Sequence, residues 1–474
     1  MNTMRNVVVR RGQAPSLPVL LSAACIATLL LVATGCGTAP DTTAPNATDT
    51  TTPGSGTGEP PLLSADVPRS TPEAKPVEIQ ELVSGNTAFA VDLLRSLAAP
   101  SGAAAEENLV ISPYSISVAL AMTYAGARDD TATEMAETLH FTLPADRLHA
   151  AFNSLGQTIA TRSREIPPAN DGDEPATVEL SVVNQLWAQQ GFTFLTEYLE
   201  TLAAQYGAGL RTVDFIADAE AARQTINDWV AQVTKDRIKD LLPEGSLGDL
   251  TRLVLTNAVY LKAPWAVPFE KSMTQDGDFH LAGGGTVTAA FMQQSETLGY
   301  AQTTDWTAVQ LPYKGGELAM VVLLPAAANA SGAVADLSSA VADLDGAALQ
   351  GLLSALQDEN VTLSLPKFTA TSALSLGDVL QSLGMDLSFS DDADFSGMTG
   401  SRDLTIDSVF HNGFVAVDED GTEAAAATAV VMRLKAAPAE PKTVVVDRPF
   451  IWLLRDIETG TILFLGQVTD PTQE

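Results

Sequence analysis

Near the C-terminus, residues 415–435 read Val-Ala-Val-Asp-Glu-Asp-Gly-Thr-Glu-Ala-Ala-Ala-Ala-Thr-Ala-Val-Val-Met-Arg-Leu-Lys. The alanines alone favour a helix, because alanine is the best helix former. Read with a period of two, however, the stretch separates into two faces. One face is small or apolar throughout and consists of Thr422, Ala424, Ala426, Thr428, Val430, Met432 and Leu434. The other face carries every charge between residues 422 and 435. The stretch therefore predicts a β-strand with one buried face, and Pro438 and Pro441 interrupt pairing after it.

The rest of the chain divides into a helical first half and a second half rich in strands. Apolar spacing predicts helices over residues 87–97, 115–125, 131–139 and 222–242. Strands are predicted over residues 178–183, 253–260, 319–324, 361–365, 443–446, 450–454 and 462–466. Strands and helices do not alternate regularly, so the pattern predicts an α+β fold with large, mainly antiparallel sheets. We expect one domain over residues 77–474, with residues 164–175 as a surface loop.

The N-terminus has the pattern of an export signal. Basic residues precede an apolar run over residues 17–32, which is short for a membrane span. The run ends in Ala-Thr-Gly before Cys36, a sequence that resembles a bacterial lipobox. We therefore expect residues 1–35 to be a signal peptide and Cys36 to carry a lipid anchor. The alternative is an ordinary signal peptide cleaved nearby, which leaves Cys36 as a free thiol.

Residues 36–76 are rich in Thr, Pro, Ala, Asp, Gly and Ser and nearly lack aromatic residues. Such a segment buries too little apolar surface to offset its ordering entropy, so we predict a disordered tether. Together with the N-terminal signal, it predicts a secreted, extracytoplasmic, membrane-anchored lipoprotein of a bacterium.

The composition excludes several classes of function. A net charge of -32 argues against nucleic-acid binding, which needs clustered Lys and Arg. Two cysteines and four histidines give no basis for a disulfide framework or for a metal site. The sequence contains no Gly-x-Ser-x-Gly, His-Glu-x-x-His, phosphate-binding loop or dinucleotide motif. We therefore expect neither catalytic residues nor a cofactor.

Several motifs in order along residues 80–472 resemble the serpins. Residues 419–428 resemble the hinge of the reactive-centre loop in inhibitory serpins, and residues 108–116 resemble the start of the second helix. Further matches are residues 226–230 with Thr234, 255–262 with Trp265 and Phe269, 394–398, His411 before 413–415, and 447–450. Ala263-Pro264 departs from the family pattern, which usually has glycine there. The resemblance implies helices plus three mainly antiparallel sheets and an exposed reactive-centre loop over about residues 419–441.

The resemblance also implies a mechanism of inhibition. A target serine protease cleaves the loop and forms an acyl-enzyme, after which the loop inserts into the central sheet and traps the enzyme. Counting from the hinge places the cleaved bond at Lys435–Ala436, which suits trypsin-like proteases. Arg433–Leu434 is the rival bond, and counting back from Pro449 moves the cut toward Ala437 or Pro438. Alternatively, Lys435 and Arg433 are only surface charges that increase the solubility of the loop.

Family positions assign further roles to individual residues. The hinge comprises Glu419, Gly421, Thr422, Ala424, Ala425, Ala426, Ala427 and Thr428. The polar cluster beneath the opening sheet, called the shutter, comprises Ser112, Ser115, Asn257 and His411. Trp265 is assigned to the breach, where the loop first enters the sheet, although a plain core role explains this residue equally well. We expect a monomer whose partners are a protease and a membrane.

Two other functions remain open. One is a non-inhibitory member that uses the fold as a binding or structural module, and the other is an inhibitor of cysteine proteases. The small residues of the hinge favour insertion, because relatives that do not insert tend to carry bulky or charged residues there.

Overall fold

A computed structural model describes residues 59–99, 102, 104, 106–168, 175–326, 337–423 and 440–473. The helices of these residues are α1 (Pro76–Ala98), α2 (Pro113–Tyr124), α3 (Asp129–Thr138), α4 (Ala145–Ala160), α5 (Thr196–Thr201), α6 (Ala219–Val233), α7 (Leu337–Ala342), α8 (Gly346–Ser354), α9 (Gly377–Ser382) and α10 (Ser396–Thr399). A π-helical turn over Leu202–Tyr206 extends α5. None of these helices has both the length and the apolar character needed to cross a bilayer.

The strands fall into two groups by sheet. The central sheet contains β1 (Leu62–Leu63), β3 (Arg164–Ile166), β4 (Ala176–Gln189), β5 (Leu210–Val213), β6 (Leu253–Pro264), β12 (Phe368–Ser375), β13 (Ser408–Val417) and β14 (Gly421–Thr422). The second sheet contains β2 (Leu109–Ile111), β7 (Gln275–His280), β8 (Thr286–Gln302), β9 (Trp306–Pro312), β10 (Leu318–Pro325), β11 (Gln357–Pro366), β15 (Lys442–Val445), β16 (Phe450–Asp456) and β17 (Ile462–Val468).

The α+β class and the mainly antiparallel sheets are confirmed. Hydrogen bonding groups the described strands into two main sheets, which is broadly consistent with the three expected because β8 is long enough to serve two regions. Its first residues pair with β7, its middle with β11, and its last residues with β9. The strands of these two regions therefore form one continuous sheet.

The central sheet has the order β1-β5-β4-β6-β14-β13-β12. Its middle strands β6 and β13 are parallel and pair directly from Ser408↔Val254 to Gly413↔Val259. Beyond that point they separate, and the two residues of β14 lie between them. The central sheet is thus closed at one end and opened at the other by the beginning of the predicted loop.

Helix α2 is buried against both sheets. Ten of its twelve residues are buried, as expected for a helix without a solvent face. Pro113 occupies the first turn, and the Ser112 hydroxyl accepts the Ser115 backbone N–H at 3.4 Å. These two signals fix the start of the helix directly beneath β4 and β6.

The structure differs from the predicted tether boundary at residue 76. Leu62 and Leu63 pair with β5, and Arg211 contacts Glu59 and the Pro60 carbonyl oxygen. The described part of the tether, from residue 59, is therefore packed on the domain. Amino-acid composition does not predict this pairing, because the edge of β5 supplies the hydrogen-bond partners for the backbone of the segment.

Three other predicted elements have different bounds. The helix predicted over residues 222–242 ends at Val233, because Lys235 and Asp236 adopt positive φ angles of 53° and 62°. Within residues 164–175, predicted as a loop, Arg164–Ile166 pairs with β4. The α1 helix spans more residues than the predicted 87–97.

Candidate functional site

The four predicted shutter residues lie together beneath the central sheet. Asn257 on β6 and His411 on β13 are direct cross-strand partners. The His411 Nε2 accepts the Ser112 backbone N–H at 3.2 Å, so its Nδ1 carries the proton and donates to the Asn257 side-chain oxygen. The Ser112 hydroxyl donates to the Leu463 carbonyl oxygen at 2.6 Å. The network therefore joins β6, β13, α2 and β17.

Asn184 is a member of this network that the sequence analysis missed. It lies on β4 opposite Asn257 and accepts hydrogen bonds from the Asn257 amide and the Ser115 hydroxyl. Asn184, Asn257 and His411 thus form a polar row across three adjacent strands. The strand pattern predicted β4, but no local signal shows which side chain of a neighbouring strand lies opposite Asn257.

Burial determines the charge state of the network. His411 is fully buried, and burial lowers its pKa to about 3. The neutral ring can accept the Ser112 N–H, whereas a protonated ring has no acceptor left. The network is therefore complete only while His411 is neutral.

The hinge enters the sheet at the other end of β6. Gly421 pairs with Pro264 and Thr422 with Ala263, while Thr422 also pairs with Val417 of β13. A Cβ on Gly421 would lie 2.3 Å from the Ala263 carbonyl oxygen, so only glycine fits this approach. The Ala263-Pro264 departure thus lies directly at the hinge.

Proline at position 264 leaves no unmet hydrogen bond. The residue has no N–H to offer the Gly421 carbonyl oxygen, but the Asp418 N–H donates to that oxygen at 3.0 Å. The Asp418 side chain also accepts the backbone N–H groups of Asp420 and Gly421. The turn before the hinge therefore satisfies its own backbone.

Thr422 is buried, as the period of two predicts, but the side chain of Glu423, predicted on the charged face, is also only 8% exposed. Thr422 is 1% exposed, and its hydroxyl is 2.6 Å from the Tyr313 hydroxyl. Glu423 instead forms an ion pair of 3.3 Å with Arg237, beyond the end of α6. Glu423 has a φ of 46°, a left-handed conformation that ends the short strand. The chain must change conformation at this residue to continue as a strand.

Trp265 lies where β6 and the hinge meet. Its ring is 1% exposed and stacks on Tyr313, with centroids 4.5 Å apart. Its indole N–H donates to the Asp418 carbonyl oxygen at 2.9 Å, and its backbone N–H donates to the Asp420 carbonyl oxygen. Tyr313, which also contacts Thr422, is a second residue that the sequence analysis did not identify.

Charged side chains hold the turn before the hinge. Glu419 is 5% exposed and pairs with Lys367 at 2.9 Å, while the Thr274 hydroxyl donates to it at 2.8 Å. Burial alone raises the pKa of Glu419, but the hydrogen bonds from Lys367 and Thr274 outweigh burial and lower it. Lys271 pairs with Asp420 at 2.8 Å. These contacts fix the chain up to Gly421.

Several predicted site residues lie outside the described residues. They are Cys36, Ala424, Ala425, Ala426, Ala427, Thr428, Arg433, Leu434, Lys435 and Ala436. Within the described part of the chain, no group of three or more His, Cys, Asp or Glu side chains is arranged to hold a metal ion. The roles assigned to the shutter and hinge residues stay predictions.

The buried histidine predicts a specific pH dependence. Between about pH 6.5 and 3 the unfolded chain binds a proton at His411 that the folded chain does not. The contribution of His411 to stability is therefore fully present above pH 6.5 and falls by about 2 kcal/mol by pH 5. The buried His149, whose pKa burial lowers to about 4, adds a loss of its own in the same range. Denaturant midpoints at pH 7 and 5 measure this slope.

His411→Gln provides the comparison, and the exposed His280→Gln is the control. The first variant is expected to be less stable at every pH but to lose less stability between pH 7 and 5. His280→Gln should retain the full slope. Equal slopes for His411→Gln and the parent chain would contradict the assignment.

Comparisons with known proteins agree with this geometry. A family model described as serpin (serine protease inhibitor) matches residues 84–471. An uncharacterized serpin-like protein of Thermococcus kodakarensis is 38% identical over 393 residues, which cover 82% of this chain and 86% of that protein. Leukocyte elastase inhibitor A of Mus musculus is 37% identical over 404 residues, covering 83% of this chain and 100% of that protein.

Solved structures give the same result. The native state of the thermophilic serpin tengpin superposes with a TM-score of 0.72 at 25% identity, covering 87% of this chain and 100% of tengpin. Serpin48 of the insect Tenebrio molitor superposes with a TM-score of 0.68 at 29% identity, covering 82% of this chain and 98% of that one. The chain belongs to the serpin family.

Proposed function

We propose that this protein is an irreversible, suicide-type inhibitor of serine endopeptidases with trypsin-like specificity. The observation that carries the proposal is β14, which already lies between β6 and β13 with Thr422 on the buried face. The family and its leukocyte elastase inhibitor relatives support inhibition of proteases in general. The serine target and the insertion mechanism are our inference.

The proposed reaction begins as ordinary proteolysis. The protease serine attacks the carbonyl carbon of Lys435, and the bond to Ala436 breaks as its nitrogen takes up a proton. Lys435 is then held as an ester on the protease, and the segment before it is free to move. Arg433–Leu434 is the alternative bond, with the same chemistry.

Insertion then extends β14 along the gap between β6 and β13. The inserted strand replaces the direct pairing from Ser408 to Gly413 and separates His411 from Asn257. It adds backbone hydrogen bonds on both sides of the new strand, each worth about 1 kcal/mol net. The small residues after Glu423 enter with little steric cost. If insertion is faster than hydrolysis of the ester, the moving segment carries the protease with it and distorts the protease active site.

We further propose that this inhibitor acts outside the cytoplasm as a monomer bound to a membrane through Cys36. The apolar run and the lipobox-like sequence before Cys36 support this proposal. The strong negative charge is compatible with a soluble domain facing an aqueous compartment. A binding or structural module without inhibition is the competing function.

Incubation with trypsin identifies the cleaved bond. We expect a complex that resists SDS. The mass of the released C-terminal peptide should show that the peptide begins at Ala436. Lys435→Ala should abolish this complex, because the protease pocket requires a basic residue, whereas Arg433→Ala should leave it unchanged. A complex lost in Arg433→Ala but retained in Lys435→Ala would move the bond to Arg433–Leu434.

Two arginine substitutions on opposite faces test insertion. Thr422→Arg places a charge against Tyr313 on the buried face. We expect this variant to be cleaved as a substrate without forming the complex. Ala427→Arg is the matched control, because an odd-numbered residue faces outward after insertion, and it should still inhibit. The ratio of complex to cleaved protein on a denaturing gel measures the difference.

Equal yields of complex from Thr422→Arg and the parent chain would contradict the register. Absence of a complex with trypsin and with elastase-like and cysteine proteases would instead support the non-inhibitory module.

A further inference from the structure

A cavity of about 580 Å³ lies beside β4, away from the hinge. Helices α2, α4 and α6 and the strand β5 surround it, and it reaches Asn184 at one end. Sites for small organic ligands in proteins usually measure about 300–1000 Å³. The cavity is therefore large enough for a ligand.

The cavity differs in charge from the rest of the protein. The chain has 58 acidic residues, yet none of the residues that line the cavity is acidic, and two are arginines. Arg211 is neutralised by Glu59 at 3.0 Å and lies 5.0 Å above the Trp229 ring. The Arg69 Nε donates to the Asn153 side-chain oxygen at 2.9 Å. Among the described residues, no carboxylate pairs with Arg69.

Arg69 and a buried hydroxyl converge on one point. A Cβ on Gly156 would lie 3.0 Å from the Arg69 Nη2 and 3.4 Å from the Tyr114 hydroxyl oxygen. Both groups therefore lie against Gly156 and close to each other on the wall of the cavity. A guanidinium and a hydroxyl side by side in one cavity are suited to bind a carboxylate.

The remaining wall of the cavity is mainly apolar. Apolar side chains of α2, α4 and β4 line it, namely Val118, Met122, Phe152, Ile159, Leu180 and Val182. We propose that the cavity binds an amphipathic monocarboxylate of the fatty-acid class, with its carboxylate on Arg69 and Tyr114 and its alkyl chain along this wall. The site is independent of the proposed inhibitory function.

Isothermal titration calorimetry of the full chain with laurate tests the site. We expect one laurate per chain and much weaker binding of lauryl alcohol, which lacks the charge, and of acetate, which lacks the chain. Arg69→Gln and Tyr114→Phe should each weaken laurate binding by about tenfold or more, as expected for loss of a hydrogen bond to a charged group. Val182→Trp should prevent binding by filling the cavity.

Arg95→Gln is the matched control, because it removes an exposed positive charge that does not line the cavity. It should bind laurate like the parent chain. Tyr114→Phe removes the hydroxyl but keeps the ring, so the variant is expected to stay folded. Thermal unfolding midpoints check that it does. The proposal is overturned if laurate fails to bind, if lauryl alcohol or acetate binds as tightly, or if Arg69→Gln and Arg95→Gln have equal effects.

Discussion

The hydrogen bond between His411 and Asn257 is the contact on which the arrangement of the central sheet depends. It links two parallel strands that pair directly from Ser408 to Gly413 and separate beyond Gly413. The same two strands receive Gly421 and Thr422 at their open end. In the native fold the central sheet is thus closed at one end and open at the other. The network at His411 lies at the closed end.

The polar cluster satisfies its groups in the closed form. Asn257 uses both its amide nitrogen and its oxygen, and His411 uses both ring nitrogens. Separation of β6 from β13 breaks the bond between the Asn257 side-chain oxygen and the His411 Nδ1. These two buried groups then lack partners unless a new strand supplies them, and each unmet group costs about 1–3 kcal/mol. The cluster is therefore expected to oppose partial opening of the sheet more strongly than the complete insertion that we propose.

The hinge region combines fixed and adjustable residues. Ion pairs at Glu419 and Asp420 and the indole of Trp265 hold the turn before the hinge. Glu423 occupies a left-handed conformation that costs about 1–2 kcal/mol for a residue other than glycine. Extending the strand removes this cost but breaks the ion pair with Arg237. In the proposed mechanism, the first step of insertion thus changes the conformation of one residue and breaks one ion pair.

The sequence predicted those features that depend on local pattern. The period of two predicted a buried Thr422, and Thr422 is buried in the structure. The runs of strand-forming residues predicted β4 and β6. Asn184 and Tyr313 were missed because their roles depend on strand neighbours far away in the chain. The segment from residue 59 was wrongly assigned to a tether, since composition does not register an available sheet edge.

The central claim is that the segment after Thr422 has its lowest free energy between β6 and β13. A crystal structure of the chain cleaved in its reactive-centre loop tests this directly. The account predicts a continuous strand from residue 422 to the cut, paired with both neighbours, with His411 and Asn257 no longer in contact. A cleaved chain in which β6 and β13 still pair directly at His411, with the released segment outside the sheet, would contradict it.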